Sequence, residues 1–407
     1  TTVDYPIYRL RWGNRTFYRV IYGGLAKLKE LVARPHAMLA FYFESQRLYV
    51  FLGADRHPQD ITLRTHRPVP RPREWGEFKS AQIWCEADHI TFKSLQLDFG
   101  IGCGILLWNA AHITVQDCVF RGSTFGIHAT RGLKPATGLT VENCLYHNFP
   151  QADWRKRWLS WADVYASYSS SSLVAVRDDQ SIVRNNLVVH AGDGFRITTR
   201  NDRPIRHGAL IEENLLAAGT DDAFEFDGPA RKITVRHNLV YNFHQNLGIS
   251  PVLDGPVLIT DNKFLHPASQ LNGSQIKLIS NQGPTGPAIR NVHVSNNTFV
   301  GNWLYWTDQC PLKNIVIRNN LFAAQHLRSQ QWPPGVVDQS NRYVLLPPDG
   351  YPNPGSQSLW LQSYDDHQQT VSSTHWSMPK PGPSWIDPWQ HPCTRSALDG
   401  LMKSVVR

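Results

Sequence analysis

One short pattern is written again and again along the middle of this chain: apolar-x-apolar-x-x-(Asn/Cys)-x-apolar. It reads Ile113-Thr-Val-Gln-Asp-Cys118-Val-Phe120 and Leu139-Thr-Val-Glu-Asn-Cys144-Leu-Tyr146. Asn186, Asn214, Asn238, Asn262, Asn297 and Asn320 then fill the same slot, with Leu95 in an earlier copy and Asn341 in a last one. Neighbouring slots lie 21–28 residues apart, except for gaps of 42 before Asn186 and 35 before Asn297. A fixed period of this length marks a solenoid, in which each repeat buries its apolar face against the next. The long gaps then carry insertions.

Two solenoids share such a core. A leucine-rich repeat would follow it with a Leu-rich helical or extended half. Here the second half is a Gly and a short alternating strand, as in Gly104-Ile105, Gly126-Ile127 and Gly194-Phe195. No helical period separates the slots. The pattern therefore predicts an all-β fold, a right-handed parallel β-helix of about ten coils. Each coil has about three short strands, and coils stack about 4.8 Å apart. The Asn column becomes a ladder inside a sharp turn, its amides pairing with backbone and with each other. In this the chain resembles the right-handed parallel β-helix superfamily of pectate lyases, polygalacturonases and related glycan-active proteins.

The repeat covers residues 77–345. Residues 1–76 lie outside it. There Leu25, Leu28, Leu31 and Val32 share one face of a short helix ended by Pro35, and strands follow at 37–43 and 47–53. This segment reads as a small α+β cap over the open apolar end. Residues 346–407 form an irregular tail rich in Pro and Trp. The opening Thr1-Thr2-Val3-Asp4 has no Met and no charged-then-apolar leader, which suggests a mature or trimmed product.

Composition narrows the classes. Forty-one Lys+Arg against 33 Asp+Glu give a net charge of +8. The basic residues are scattered and no nucleic-acid module appears, so a nucleic-acid partner is not expected. No apolar stretch is long enough to span a membrane, so no membrane partner is expected either. Six Cys in 407 residues are too sparse for a disulfide scaffold. Cys118 and Cys144 stack on adjacent coils, where buried free thiols are favoured over a disulfide. No zinc spacing or phosphate-binding Gly loop appears, and no metal is assigned.

The strand after each slot should aim alternate side chains outward. Aligned this way, the outward column reads His128, Arg196, Glu225, Ser250 and Lys277, with Thr130, Thr198, Asp227, Val252 and Ile279 two residues on. Asp193, Asp221 and Asp222 lie just before these strands. Converging carboxylates drive their pKa values apart, which provides an acid and a base from one residue type. Asp193, Asp221, Asp222, Glu225 and Asp227 are therefore the candidate catalytic residues. Glu225 and Asp227 would lie about 7 Å apart, in the inverting range, and Asp193 and Asp222 about 5 Å, nearer the retaining range. The competing reading is a solvated charged face held by cross-coil ion pairs such as Arg196 with Glu225. His128, Arg196 and Lys277 are candidate substrate contacts. So are Trp154, Trp158 and Trp161, which flank Arg155–Arg157 in the longest insertion and offer flat faces to sugar rings.

Polygalacturonase-type hydrolases carry Asn-Thr-Asp-Gly, Asp-Asp, Gly-His-Gly and Arg-Ile-Lys on successive coils. In that order this chain has Gly192-Asp193-Gly194, Asp221-Asp222, Leu247-Gly248-Ile249 and Gln275-Ile276-Lys277. The resemblance implies Asp193, Asp221 and Asp222 as catalytic carboxylates and Lys277 as a substrate contact. Leu247 in place of His and Gln275 in place of Arg depart from it. The expected activity is cleavage of glycosidic bonds in a polysaccharide, an acidic one by the overall charge, through carboxylate acid/base hydrolysis without a required cofactor. The alternatives are a lyase or uronate C5-epimerase using Ca²⁺ and Lys277 or Arg196 as base, and a non-catalytic glycan-binding β-helix. The superfamily implies a secreted or periplasmic protein, monomeric or associating through the helix sides.

Overall fold

The computed structural model describes residues 81–98, 102–130, 137–147, 172–176, 180–189, 191–198, 208–217, 219, 221–241, 243–265, 274–326 and 332–345. Before residue 80 it describes one helix and six short stretches of strand only. Every strand pairing between residues 81 and 345 is parallel, and each complete turn runs through three strands as the repeat requires. The middle strands stack into a ten-stranded sheet, from Thr91–Lys93 to Val336–Gln339. The first and third strands of successive turns merge into one 18-stranded sheet.

Not every turn of the column is complete. Eight turns, from Ala81–Cys85 to the start of Thr298–Thr307, have three strands each. Beyond them the ten-residue strand Thr298–Thr307 ends one turn and begins the next, and the last turn keeps only two strands, Val336–Gln339 and Arg342–Leu345.

The slot residues explain why the chain turns where it does. Each is preceded by a residue in the left-handed region, for example Asn185 (φ 54°), Glu213 (φ 57°), His237 (φ 54°) and Asn296 (φ 58°). Side chains other than Gly resist that conformation, so the turn needs compensation. The Asn ladder supplies it. The Asn238 side-chain amide donates to Asn262 Oδ1 (2.9 Å), Arg236 O (2.9 Å) and Ile211 O (3.1 Å), and its Oδ1 accepts from Asn214. The same links run unbroken from Asn186 to Asn341. Cys118 and Cys144 imitate them, each thiol donating to the carbonyl two residues back at 3.2 and 3.3 Å. Both are buried free thiols.

Apolar columns fill the interior. Phe264, Phe299 and Phe322 stack with ring centroids 4.7 and 4.8 Å apart, all fully buried. In the N-terminal segment the helix runs Gly24–Val32, and Ala40–Glu44 pairs antiparallel with Arg47–Phe51, as read from the sequence. Whether this segment caps the solenoid, and what the 346–407 tail and the Trp154–Trp161 insertion form, lies outside the described residues.

Candidate active site

The outward column is set by strand register. Arg196 pairs with Glu225, Glu225 with Gly248, Gly248 with Lys277 and Lys277 with Trp306. Two expectations are corrected here. Ser250 is not in the column. Gly248 takes that place, because Phe224 pairs with Leu247 and a register shift follows only after Phe226. His128 is not beside Arg196 either. The strand Ser172–Val176 intervenes and contributes Ala175, so His128 sits two turns from Arg196, buried against Phe125 at 5.0 Å. The 42-residue gap hides this strand from the repeat.

Gly248 shapes the centre. A Cβ there would collide with the Asp222 carboxylate, so the missing side chain is the space that carboxylate occupies. Lys277 then reaches Asp222 from two turns away and forms an ion pair with it, the lysine only 9% exposed. Arg196 forms a second link. Its Nε lies 2.6 Å from Glu225 Oε2 and 3.4 Å from Asp193 Oδ2. The cross-coil pair of Arg196 with Glu225 is therefore present. The face is not a solvated one, however, since Asp193 and Asp222 are 1% and 0% exposed.

Three carboxyl groups converge. One oxygen each of Asp193, Asp222 and Glu225 lies within 4.8 Å of the other two. Oδ1 of Asp193 and Oδ1 of Asp222 are buried with no hydrogen-bond partner, and Glu225 Oε2 meets Arg196 without an aligned hydrogen bond. Unsatisfied buried oxygens are costly and rare, and several in one place call for a functional account. Half-buried Asp221 and Asp227 complete the ring of acids. Asp227 registers with Thr198 on the neighbouring strand, but Gly228 rather than Asp227 pairs with Val252.

The electrostatics follow from burial and crowding. Burial lifts Asp193 well above the usual carboxylate range, and the Glu225 and Asp221 charges lift it further against the pull of Arg196. Asp221 is raised by burial and then by Asp222. Asp222 is raised by burial, with Lys277 opposing. Burial and then Glu225 push Asp227 up to about 8. Burial would lower Lys277, but Asp222 and Asp221 outweigh it and raise its pKa. Arg196 is raised likewise by Asp193 and Glu225.

Two of the expected roles sit poorly with this geometry. Lys277 and Arg196 are both held charged in ion pairs, a poor state for a Brønsted base. Arg196 and Lys277 already engage Asp193, Glu225 and Asp222, whose oxygens come close enough together to hold a metal ion, so Ca²⁺ would compete there with two resident cations. Gln245, Asn246 and Gln275 border the centre on the same strands, and a buried hydrogen bond joins Asn246 to Gln275. Asn246 and Gln275 share the outward parity of Gly248 and Lys277, where polar residues are expected, so the alternation did not mark them as buried. Trp154, Trp158 and Trp161 lie outside the described residues.

Residues 81–264 match the family model of the right handed beta helix region. No curated protein matches the chain. Similar solved structures include a tailspike protein of E. coli bacteriophage HK620 in complex with a pentasaccharide. It is 14% identical over 65% of this chain, with a TM-score of 0.42, and the match covers 45% of the tailspike's own length, under half. Another is a mannuronic acid specific polysaccharide family 6 lyase from human gut microbiota. It is 10% identical over 81% of this chain and 96% of its own, with a TM-score of 0.35. Likenesses this distant carry no argument about activity. The repeat, the parallel strand stack and the family match converge on one architecture: this chain is a right-handed parallel β-helix.

Proposed function

We propose that the chain is a glycoside hydrolase that cleaves a polysaccharide on the outer face of its β-helix. One observation carries this reading. One oxygen each of Asp193, Asp222 and Glu225 lies within 4.8 Å of the other two, and Asp193 and Asp222 each bury an Oδ1 with no hydrogen-bond partner. Their surroundings differ in the sense that acid/base chemistry needs. Asp193, buried and raised, keeps a proton to give to the glycosidic oxygen. Glu225, paired with Arg196, is the carboxylate that faces the anomeric carbon. A separation this short is nearer the retaining than the inverting range. Glu225 then attacks the anomeric carbon while Asp193 protonates the departing oxygen. Water next cleaves the glycosyl ester, returning its proton to Asp193. Asp222, fixed by Lys277 over Gly248, lies beside the developing positive charge of the sugar ring.

The site adds nothing to the case for an acidic ring at the cleaved bond. Five carboxyl groups surround two cations that are already paired. Only the overall +8 favours an anionic glycan. The paired state of Lys277 and Arg196 favours hydrolysis over the lyase or epimerase reading. The test is incubation with neutral and uronate polysaccharides, following new reducing ends, unsaturated products and the anomer first released. Reducing ends with retained configuration support the reading. Ultraviolet-absorbing unsaturated ends would replace it with the lyase.

A further inference from the structure

Four large hydrophobic side chains are exposed among the described residues: Leu258, Trp306, Val337 and Tyr343. Leu258 and Val337 belong to the ten-stranded sheet of middle strands, away from the carboxyl column. The Tyr343 hydroxyl is engaged, donating to Asp338 and accepting from Trp332. Trp306 differs from all three. It is 41% exposed and stands in the same column as Arg196, Glu225, Gly248 and Lys277, directly opposite Lys277.

Its backbone is firmly held. Leu304, two residues before it, is buried in the core, and neighbouring Tyr305 stacks on Trp332 at 5.0 Å. A solvent-facing indole on a rigid strand is a low-entropy apolar platform, since little side-chain freedom remains to be lost on binding. Its distance from the chemistry follows from strand spacing. Asp222 lies against Gly248, two turns from Trp306, or about 10 Å. That is room for a sugar ring next to the one being cleaved, not for the cleaved ring itself.

We infer that Trp306 is a sugar-stacking platform that fixes the direction of the glycan along the solenoid axis. The apolar C–H face of a pyranose ring lies on the indole, and the chain crosses successive turns toward Glu225 and Arg196. The inference rests on the glycan-cleaving reading and adds to it a substrate direction and a distal subsite. It requires the protein to favour longer chains over shorter ones.

The test uses cello-oligosaccharides and oligogalacturonates of graded length, with the wild type, Trp306→Ala and Trp306→Phe. Calorimetric binding is read beside KM and kcat on any series that is cleaved. Removing one aromatic stacking partner should weaken binding of the longer oligomers on the order of 3–10-fold. Trp306→Ala is expected to lose the tighter binding of longer oligomers and to raise their KM. It should leave the shortest cleaved substrate unchanged, and Trp306→Phe should restore most of the loss. Binding without cleavage that shows this pattern overturns the hydrolase reading and leaves the platform standing. Cleavage with equal length dependence in wild type and Trp306→Ala overturns the platform alone. A wild type that binds neither series overturns both.

Discussion

At the scale of single residues the site is defined by what each carboxyl lacks. Asp193 and Asp222 each bury an oxygen with no partner, and Gly248 gives up a side chain so that Asp222 can sit where it does. Gly248→Ala should therefore displace Asp222 from Lys277 and reduce kcat more than it changes KM, with the strand Gln245–Val252 intact by circular dichroism. Unchanged kcat would mean that the Asp222 position is not used. Titration gives an independent check. Asp227 has a folded-state pKa of about 8, against about 3.9 for a free Asp. The folded state then binds a proton more tightly than the unfolded state between those values. Its stabilising contribution is complete below about pH 4 and is lost as pH climbs through about 8. Asp193, Asp221 and Asp222 are shifted in the same direction. Melting temperature is expected to fall from pH 5 to pH 8, and Asp227→Asn should flatten part of that fall. An equally steep fall in the variant would contradict the assignment. The identities of these residues could be read from the sequence, because Asp-Gly, Asp-Asp and alternating charged residues stand out against an apolar repeat. The role of Gly248 was not legible, since it depends on a carboxylate from another turn.

At the scale of elements the Asn turn is the unit that builds the stack. Asn238 is 0% exposed and sits in mid-ladder, bonded to both neighbours. Asn238→Ala would leave the Asn214 backbone N–H without its acceptor and take away one of the three acceptors of the Asn214 amide, costing about 1–3 kcal/mol for the unsatisfied group. Chemical denaturation should show a lower midpoint. Asn238→Cys is expected to cost less, because Cys118 and Cys144 already satisfy this slot through their thiols. Equal loss in both variants would show that the amide ladder is not what stabilises the turn. The ladder and the strand pattern were legible because one residue type recurs at a nearly fixed period. The register was legible only where the period held. The 42-residue gap concealed the strand Ser172–Val176 and so misplaced His128, while Ser250 was misplaced because Leu247, and not Ile249, pairs with Phe224.

At the scale of the whole molecule the solenoid provides a straight outer face on which separate turns each contribute one group. Arg196, Glu225, Lys277 and Trp306 are up to 110 residues apart in sequence, yet share one column. The net charge of +8 is a property of the whole surface and is not concentrated at this site, whose ionisable groups are mainly acids. No helix among the described residues is long and apolar enough to cross a membrane. Composition alone therefore did not predict the character of the site. The central claim is that a buried carboxyl cluster cleaves glycosidic bonds, and the most direct measurement is reducing-end release by the wild type and by Glu225→Gln on a panel of neutral and acidic polysaccharides. The account predicts release by the wild type without unsaturated products, and a loss of about 10²–10⁴-fold in kcat with glycan binding retained in Glu225→Gln. Equal turnover by the two proteins, or unsaturated ends as the product, would contradict it.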